Sequence, residues 1–324
     1  MSPSVREKRT FLCEVLRNHR ISREAFRLDI AWPGPPPRAG QFVLLRPDRT
    51  GCFLSRPVSV ALWEPAAQSP VPDGYVRSIR FMIALRGRGT AELAGLRSGD
   101  KAELTGPLGN AWTDFLPAET GGGKIALIGG GIGIAPLIAL ALELRDAGAD
   151  FDSLRRVHTP APWGGTGGMN PESNTLQEQH TPSACGGVVD FYAGFKTLSS
   201  NPEDTEYEDF LGPLSRHGGE AGKIVLATED GGRGNTDPWN MGRIPDFLDP
   251  GRYRAVCACG PEPMLKVVRA KCAAAGVPCF ISMERRMACG VGACLGCIVK
   301  TTGGNRRCCA DGPVFPAAEI LFED

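Results

Sequence analysis

The first part of the chain alternates hydrophobic and polar residues in short runs, as half-buried antiparallel strands do. Six such runs precede residue 118, and Gly and Pro separate them at fairly regular intervals. The runs are SVREKRTFLCEVLRNHRI, AFRLDIAW, GQFVLLRP, PVSVALW, RSIRFMIALRG and KAELTG. This pattern predicts an antiparallel barrel or sandwich.

The pattern changes at Lys124, where apolar runs alternate with longer, helix-like segments. KIALIGGGIGIAPLIALALELRDAG is an apolar strand, a glycine-rich turn and a long helix. GGVVDFYAGF, GKIVLATEDG and RYRAVCACGPEPMLKVVRAKCAAAG repeat strand followed by turn or helix, and VPCFISME is a further strand. This alternation predicts a parallel α/β sheet. Residues 152–187 are rich in Pro, Gly, Ser and Thr, and we interpret them as an insertion.

Composition and charge narrow the class of protein. The 324 residues suffice for two domains and a small third module. Lys plus Arg and Asp plus Glu number 36 each, so the chain lacks the basic excess of proteins that bind nucleic acids or membrane surfaces. The sequence shows neither a signal-peptide pattern nor an apolar run near the roughly 20 residues of a spanning helix. We therefore expect a cytoplasmic protein, in which clustered cysteines are metal ligands or catalytic groups rather than disulfides.

Five of the twelve cysteines lie in one short stretch near the end of the sequence. Cys289, Cys294 and Cys297 have the spacing C-x4-C-x2-C, which plant-type [2Fe–2S] proteins combine with a more distant fourth cysteine. On spacing alone the fourth ligand is either Cys308 or Cys309. A structural zinc site is the main alternative, although such sites usually use two short C-x2–4-C pairs. Unligated thiols are the remaining alternative.

Two segments of the β-rich part are candidates for a flavin site. SRPVSV places Arg56 where its guanidinium can clamp a pyrophosphate, and Ser59 where its hydroxyl can reach a flavin ring nitrogen. GRGT places Gly89 and Thr90 before a short helix, whose first backbone amides can bind phosphate. GPLGN, residues 106–110, follows. Taken alone, each segment is better explained as an ordinary turn, and the order and separation of the segments favour a flavin site.

Two segments of the α/β part are candidates for a nicotinamide dinucleotide site. LIGGGIGIAP lies between a strand and a helix, but it does not match the G-x-G-x-x-G fingerprint. CGPEPML follows another strand, at the edge where open α/β sheets bind ligands. Glu229 and Asp230 end a third strand and could favour NAD by pairing with a ribose hydroxyl, or could belong to a surface turn. The residues that could contact the dinucleotide are Gly129, Gly130, Gly131, Gly133, Pro136, Cys259, Gly260, Pro261 and Met264.

The three candidate sites follow one another along the chain in the order flavin, nicotinamide dinucleotide and iron–sulfur cluster. In this order the chain resembles the ferredoxin reductase-like superfamily. More narrowly, it is similar to the electron-transfer subunits of NAD-dependent (class 1B) dihydroorotate dehydrogenases. The resemblance covers nearly the whole chain apart from the insertion, and rests on SRPVSV, GRGT, GPLGN, GGGIGIAPL, ATEDG, ACGPEPML, ERRMACGVGACLGC and CADGPVF. It implies an antiparallel FAD-binding β-barrel, a parallel α/β NAD-binding domain and a small C-terminal [2Fe–2S] module. We place these three at residues 1–118, 119–282 and 283–324.

The resemblance also implies site residues. The fourth cluster cysteine of the family directly precedes x-D-G-P-V-F, which selects Cys309 and leaves Cys308 as a bystander. The full set of implied cluster ligands is Cys289, Cys294, Cys297 and Cys309. The implied FAD-binding residues are Arg56, Pro57, Val58, Ser59, Met82, Ile83, Ala84, Gly89 and Thr90. Ser59 and Cys259 are the residues that we expect to touch the reacting flavin and nicotinamide rings.

The implied function is electron routing in de novo pyrimidine (UMP) biosynthesis. A catalytic subunit with FMN, in a heterotetramer with two copies of each subunit, would oxidise dihydroorotate, and electrons would pass through the [2Fe–2S] cluster and FAD to NAD⁺. We expect no side chain to act as a general base, because the cofactors carry the chemistry. One alternative is the small subunit of another NAD(P)H-linked complex, such as a ferredoxin:NADP oxidoreductase or a sulfide dehydrogenase. Another is a zinc-bearing interaction protein without enzymatic activity.

Overall fold

The computed structural model describes residues 9–49, 51–65, 76–116, 123–146, 189–195, 222–228 and 244–322. The insertion at 152–187 and the acidic pair Glu229 and Asp230 lie outside these residues. Helices in the described part are all too short or too polar to span a membrane.

Seven strands of the first part form one antiparallel sheet with the order β4-β3-β7-β1-β2-β6-β5. They are β1 (Thr10–Arg20), β2 (Ala25–Ala31), β3 (Phe42–Pro47), β4 (Arg56–Ser59), β5 (Leu62–Pro65), β6 (Val76–Ala84) and β7 (Lys101–Leu108). Alternate residues of these strands fill a common interior with aliphatic and aromatic side chains. The predicted β-rich first part is confirmed.

This sheet closes on itself through one bent strand. β4 and β5 stand at opposite ends of the sheet order, but only Val60 and Ala61 separate them along the chain. The Val60 amide donates to the Gln41 carbonyl beside β3, and the Ala61 amide donates to the Arg80 carbonyl of β6, both at 3.0 Å. Residues 56–65 therefore join both edges of the sheet, and the seven strands form a barrel with six strand positions.

A short helix, α1 (Arg88–Ala94), connects β6 to β7. Asn18 of β1 holds its end, because the Asn18 Nδ2 donates to the carbonyls of Leu93 at 3.0 Å and Leu96 at 2.8 Å. These bonds satisfy carbonyl groups that the last turn of a helix leaves without partners. The start of α1 lies against the SRPVSV segment, because Gly89 contacts the Arg56 side chain.

The second sheet has the order β10-β9-β8-β11-β12-β15. Its strands are β8 (Lys124–Gly130), β9 (Val189–Phe195), β10 (Ile224–Thr228), β11 (Tyr253–Cys259), β12 (Cys279–Ser282) and β15 (Val314–Pro316). The first five strands in this order are parallel, and β15 is antiparallel to β12. Helices α2 (Ala135–Asp146) and α3 (Glu262–Ala275) follow β8 and β11. The predicted parallel α/β sheet is confirmed.

The C-terminal segment adds a hairpin of β13 (Ile298–Thr301) and β14 (Gly304–Arg307), followed by the one-turn helix α4 (Cys308–Asp311). Its apolar side chains, among them Val299 and Phe315, share a core with Val256 and Ile281 of the α/β sheet. Together with β15, this shared core builds the C-terminal segment onto the α/β domain. Shorter 3₁₀ turns lie at Trp112–Asp114, Gly131–Ile134, Ile244–Phe247, Pro250–Arg252 and Ala317–Glu319.

Helix α2 packs against the barrel. Trp112 is fully buried at this boundary, and its indole Nε1 donates to the Pro136 carbonyl at 3.4 Å. Glu143 of α2 is also buried there and accepts the Ala39 amide of the barrel at 3.1 Å. Burial raises the pKa of Glu143 to about 7, although the Ala39 amide and the Arg38 charge oppose the rise. A titratable carboxyl therefore lies between the two domains.

A polar network fixes the amino ends of the parallel strands. The Tyr253 hydroxyl donates to Asp190 Oδ2 at 2.8 Å and shares a hydrogen bond with the Tyr192 hydroxyl at 2.6 Å. Lys124 and the Lys223 amide contact the other oxygen of Asp190, at 3.1 and 2.8 Å. Strands β8 to β11 are thus tied together at one edge of the sheet, and the turns at the opposite edge carry the glycine-rich segments.

Candidate functional site

The two segments predicted to bind FAD lie against each other at one end of the barrel. A Cβ atom on Gly89 would overlap the guanidinium group of Arg56, so this arginine lies directly over Gly89. Thr90 shapes the preceding turn: its hydroxyl accepts the amides of Arg86 at 2.9 Å and Gly87 at 3.2 Å. The Arg56 guanidinium therefore lies beside the first backbone amides of α1. A positive charge next to the amides at a helix start suits the binding of a pyrophosphate.

The remaining residues that were predicted to bind FAD differ in how deeply they are buried. Val58 and Ile83 face the barrel interior and support its wall. Met82 faces the opposite way, into the core between the barrel and the α/β domain. The half-buried members of the set are Arg56, Pro57, Ser59, Ala84 and Thr90.

The two turns predicted to bind the nicotinamide dinucleotide are in direct backbone contact. β8 and β11 are neighbouring strands, and Gly129 pairs with Cys259, so both strands end at the same level. A Cβ atom on Gly133 would lie 2.5 Å from the Cys259 carbonyl oxygen, and one on Gly260 would lie 2.9 Å from the Gly130 nitrogen. Residues with side chains at these positions would push the two turns apart. The close approach of the turns therefore explains why these residues are glycines.

The other predicted residues of this site complete the same edge. A Cβ atom on Gly130 would lie 2.8 Å from Pro261 Cδ and 2.9 Å from Met264 Sδ. Gly131 has a φ of 54°, in the left-handed region that favours glycine. Pro136 is the second residue of α2, where proline is tolerated. The structure thus brings both segments together at the carboxyl edge of the parallel sheet, where such sheets bind ligands.

Cys259 takes part in this site through its backbone. Its side chain is 2% exposed and hydrogen-bonds to Ser282 of β12. Burial raises the pKa of the Cys259 thiol well above its ordinary value. The thiol therefore faces the core beneath the turns, whereas the carbonyl approaches Gly133.

Glu284 is a site residue that the sequence analysis missed. It lies two residues after the end of β12, is accessible at the surface, and interacts electrostatically with Cys259 and with Arg86, which precedes GRGT. Burial by the surrounding atoms raises its pKa, and the Arg86 charge opposes that rise. Glu284 is the first residue of ERRMACGVGACLGC, but the sequence analysis gave a role only to the cysteines of that segment. Glu284 supplies a titratable carboxyl between the flavin and nicotinamide segments.

The cysteines matched to cluster ligands form two pairs. Cys289 and Cys294 hydrogen-bond to each other, and so do Cys297 and Cys309. In the part of the chain that the structure describes, no three potential ligands converge as a single metal ion would require. Two pairs of cysteines suit a binuclear [2Fe–2S] cluster, which takes two protein ligands on each iron, better than a mononuclear zinc site.

Backbone amides point at these sulfurs. The amides of Val291 and Cys294 both donate to Cys289 Sγ at 3.4 Å. Burial by itself raises the pKa of Cys289, but these amides and neighbouring donors outweigh it and lower the pKa to about 6. The Gly292 amide donates to Cys309 Sγ at 3.1 Å. Such donors stabilise thiolates, the form in which cysteine binds iron.

Cys308 faces away from this group. Its Sγ donates to the Met283 carbonyl at 3.1 Å, and the side chain is fully buried. Burial raises the pKa of Cys308 to about 12. Of the two adjacent cysteines, only Cys309 is contacted by an amide of the cysteine loop, residues 289–297.

The cysteine loop rests on the barrel next to the flavin segment. A Cβ atom on Gly290 would lie 2.5 Å from Leu44 Cδ1, so the loop packs directly on β3. Leu44 in turn pairs with Pro57 of the SRPVSV segment. The predicted cluster ligands and the predicted flavin segment are therefore neighbours across two strands.

Asn110 fastens the C-terminal segment to the barrel. Its Nδ2 donates to the carbonyls of Asp311 at 3.1 Å and Val314 at 2.8 Å, and its Oδ1 accepts the Val314 amide at 2.9 Å. The Asn110 amide donates to the Gly312 carbonyl at 2.7 Å. Residues 106–110, considered above with the flavin segments, thus bind the segment that carries Cys309.

Comparisons with known proteins agree with this arrangement. The sequence model of a family described as the iron-sulfur cluster binding domain of dihydroorotate dehydrogenase B matches residues 284–321. A Clostridium acetobutylicum protein named "Dihydroorotate dehydrogenase B (NAD(+)), electron transfer subunit" is 34% identical over 89% of this chain and 87% of its own length. A protein of the same name from Caldanaerobacter subterraneus is 31% identical over 95% of this chain and 97% of its own length.

Solved structures share the fold. The NADH-dependent reduced ferredoxin-NADP oxidoreductase superposes with a TM-score of 0.66 at 23% identity, over 96% of this chain and 90% of that chain. The ferredoxin NADP⁺ reductase from Neisseria gonorrhoeae, with bound FAD and NADP, gives a TM-score of 0.52 at 19% identity, over 86% and 95% of the two chains. The barrel and the parallel sheet are therefore arranged as in ferredoxin reductases.

Proposed function

This chain belongs to the family of the electron transfer subunit of dihydroorotate dehydrogenase B (NAD(+)), and we propose that it links the oxidation of dihydroorotate to the reduction of NAD⁺, with FAD and a [2Fe–2S] cluster as its cofactors. One observation carries the proposal beyond the family name. The cysteine loop packs on Leu44, whose strand partner Pro57 belongs to the flavin segment. This packing supports a proposed cluster site that adjoins the proposed flavin site.

Cys289, Cys294, Cys297 and Cys309 would hold the cluster. The amides that donate to their sulfurs would stabilise the charge of the thiolate ligands. When bound, the cluster supplies one-electron transfer, and FAD supplies the exchange between single electrons and a hydride. The protein's part is to place these groups and to adjust their potentials.

The FAD pyrophosphate would lie against Arg56 and the start of α1. Gly89 leaves the space that the Arg56 guanidinium occupies, and Thr90 fixes the turn. Ser59 is half-buried on the same bent strand and is our candidate for a hydroxyl contact to the flavin ring.

NAD would bind over the paired turns at Gly129–Gly133 and Cys259–Met264. Their close packing supports a rigid platform at the carboxyl edge of the sheet. Glu284 lies between this platform and Arg86, where a carboxyl can orient the nicotinamide amide by accepting its hydrogen bond. The preference for NAD over NADP follows here from the name of the relatives.

An electron transfer subunit needs a catalytic partner. We propose an FMN-containing dihydroorotate dehydrogenase subunit, in a heterotetramer with two copies of each chain, working in cytoplasmic pyrimidine biosynthesis. The exposed side of the cysteine loop suits such a contact, because Val291 and Leu295 are 42% and 60% exposed beside the exposed Cys294. Phe53, which precedes the flavin segment, is 90% exposed. Apolar side chains beside a redox centre suit a protein partner.

The test is an oxygen-free purification of the tagged chain from its own cells. We expect FAD, iron, a co-purifying FMN protein and dihydroorotate-dependent reduction of NAD⁺. The Cys294→Ser variant should lose iron and this activity, but should keep NADH oxidation by ferricyanide, which draws electrons from the flavin.

Two outcomes contradict the proposal. Equal survival of both activities in Cys294→Ser would show that the cluster is not on the path from dihydroorotate. A wild-type protein with FAD and iron but without dihydroorotate activity would belong to another complex, such as a ferredoxin:NADP oxidoreductase or a sulfide dehydrogenase.

A further inference from the structure

One arginine connects the cysteine loop to the helix that carries Cys309. Arg307 ends β14, and its Nε and Nη2 donate to the two carboxylate oxygens of Asp311, each at 2.9 Å. The Arg307 backbone amide donates to the same carboxylate at 2.8 Å. This two-pronged pairing fixes the plane of the guanidinium group.

The fixed guanidinium lies over Gly292. Arg307 Nη1 is 3.4 Å from the Gly292 carbonyl oxygen, and a Cβ atom on Gly292 would lie 3.1 Å from this nitrogen. The Gly292 amide makes the shortest of the amide-to-sulfur contacts, at 3.1 Å to Cys309 Sγ, whereas the others measure 3.4 Å. Arg307 therefore packs against the residue whose amide most closely approaches a cluster ligand.

This arrangement has a consequence for electron affinity. The Arg307 charge interacts with the thiols of Cys309 and Cys297. Reduction adds negative charge to a cluster, and hydrogen bonds to its sulfurs together with nearby positive charge stabilise that charge. Both effects raise the reduction potential. A half-exposed ion pair, by contrast, contributes little to folding stability.

We propose that Arg307 is a positioning residue that raises the reduction potential of the [2Fe–2S] cluster, both by its charge and by holding the Gly292 amide on Cys309. The inference rests on the proposed function, because it requires the cluster. The proposal gives Arg307, which is not a cluster ligand, an influence on the cluster potential. It gives Asp311 the role of orienting Arg307.

The chain offers a matched control in Arg306. It carries the same charge and is the preceding residue of β14, but successive strand residues face opposite sides. Arg306 is exposed, and it lies near enough to Asp311 to influence its charge. Arg306→Gln therefore reproduces the loss of one positive charge near the loop without removing the contact to Gly292.

The experiment is a redox titration of the purified, cluster-loaded protein, followed by the electron paramagnetic resonance signal of the reduced cluster. We expect a more negative midpoint potential for Arg307→Gln than for Arg306→Gln, and a smaller negative shift for Arg307→Lys, which keeps the charge but not the planar fork. Asp311→Asn should also shift the potential negatively, because it releases the guanidinium. NADH oxidation by ferricyanide should be unchanged in the control variant Arg306→Gln.

The wild-type protein tests the proposed function separately, because a chain without iron or a cluster signal would refute that function before any variant is compared. Equal potentials for wild type, Arg307→Gln and Arg306→Gln would overturn the inference while leaving the function intact. If Arg307→Gln fails to retain iron, Arg307→Lys and Asp311→Asn decide the matter: unchanged potentials in both would overturn the positioning role.

Discussion

Cys309 and Cys257 are equally hidden from solvent, at 2% and 0% exposure, yet their sulfurs have different surroundings. The Gly292 amide donates to Cys309, which lies at the start of a one-turn helix. Cys257 lies within the parallel sheet, where burial and then the nearby Cys272 raise its pKa. Burial raises the pKa of both thiols, to about 12 for Cys309, but at Cys309 the Gly292 backbone amide opposes the rise, whereas the pKa of Cys257 is raised further by Cys272. Backbone donors, rather than depth, distinguish a candidate ligand from a core cysteine.

The glycines differ between the same two regions. Gly290 and Gly292 of the cysteine loop have φ values of 63° and 79°, which the turn itself requires. In the α/β turns, Gly133 is needed because the Cys259 carbonyl leaves no space for a side chain. Both glycines of the cysteine loop have a positive φ, whereas Gly133 is explained by close approach alone.

The largest expected effect separates the two adjacent cysteines. Cys309→Ser should abolish iron binding, because it removes a proposed ligand. Cys308→Ser should retain the iron and the visible absorbance, since its hydroxyl can still donate to the Met283 carbonyl. Iron analysis and absorbance spectra of both purified variants make the comparison. Loss of iron from Cys308→Ser with retention in Cys309→Ser would reverse our ligand assignment.

A second variant tests close approach in the α/β turns. Gly133→Ala would place a Cβ atom 2.5 Å from a backbone oxygen that cannot move alone. Overpacking of this kind costs about 1–3 kcal/mol, and we expect NADH oxidation by ferricyanide to fall with the displaced turn. Urea unfolding and the KM for NADH are the measurements.

Gly251→Ala is the control for this variant, because its Cβ atom would make only an ordinary contact at 3.6 Å with Asp249. It should change the free energy of unfolding by less than about 0.5 kcal/mol. Equal effects of the two substitutions would mean that the turns are not closely packed.

The third prediction extends the effect of burial from thiols to a carboxyl. Glu143 between the barrel and α2 has its pKa raised from 4.5 to about 7. The folded state therefore holds the proton more tightly, and this stabilisation is complete below about pH 4.5 and lost as the pH rises through 7. At about 1.4 kcal/mol per pKa unit, the loss amounts to about 3 kcal/mol.

Glu143→Gln should remove this decline, because the amide oxygen can still accept the Ala39 amide but does not titrate. Urea unfolding of both proteins between pH 5 and 8 gives the difference directly. Parallel pH profiles for wild type and variant would contradict the raised pKa.

The alternation of apolar and polar residues was enough to predict the strands, and the spacing of the cysteines was enough to suggest a cluster. Both signals lie in residues that are close together in the sequence. Alternation of apolar and polar positions predicted the barrel strands, and strand-to-helix alternation predicted the parallel sheet. What the pattern could not predict are contacts between distant segments. Asn110 and Asp311 are 201 residues apart, and no local signal connects them.

The candidate site shows the same division. The glycine segments were predicted as two separate turns, and their packing against each other follows only from the pairing of β8 with β11. Glu284 and Arg307 were assigned no role from the sequence, since their significance depends on which residues the fold brings near them. The opposite orientations of Cys308 and Cys309 also depend on α4, whose single turn directs successive side chains to different sides.

The Asn110 clamp has a consequence for the order of events during synthesis. The ribosome makes its partners, Asp311 to Val314, only after adding about 200 more residues. At about 5–20 residues per second, this takes roughly 10–40 s. During that interval the polar groups of Asn110 on the nascent barrel hydrogen-bond to water instead. The cysteine-bearing segment can therefore dock onto the barrel only after the barrel residues that receive it have been made.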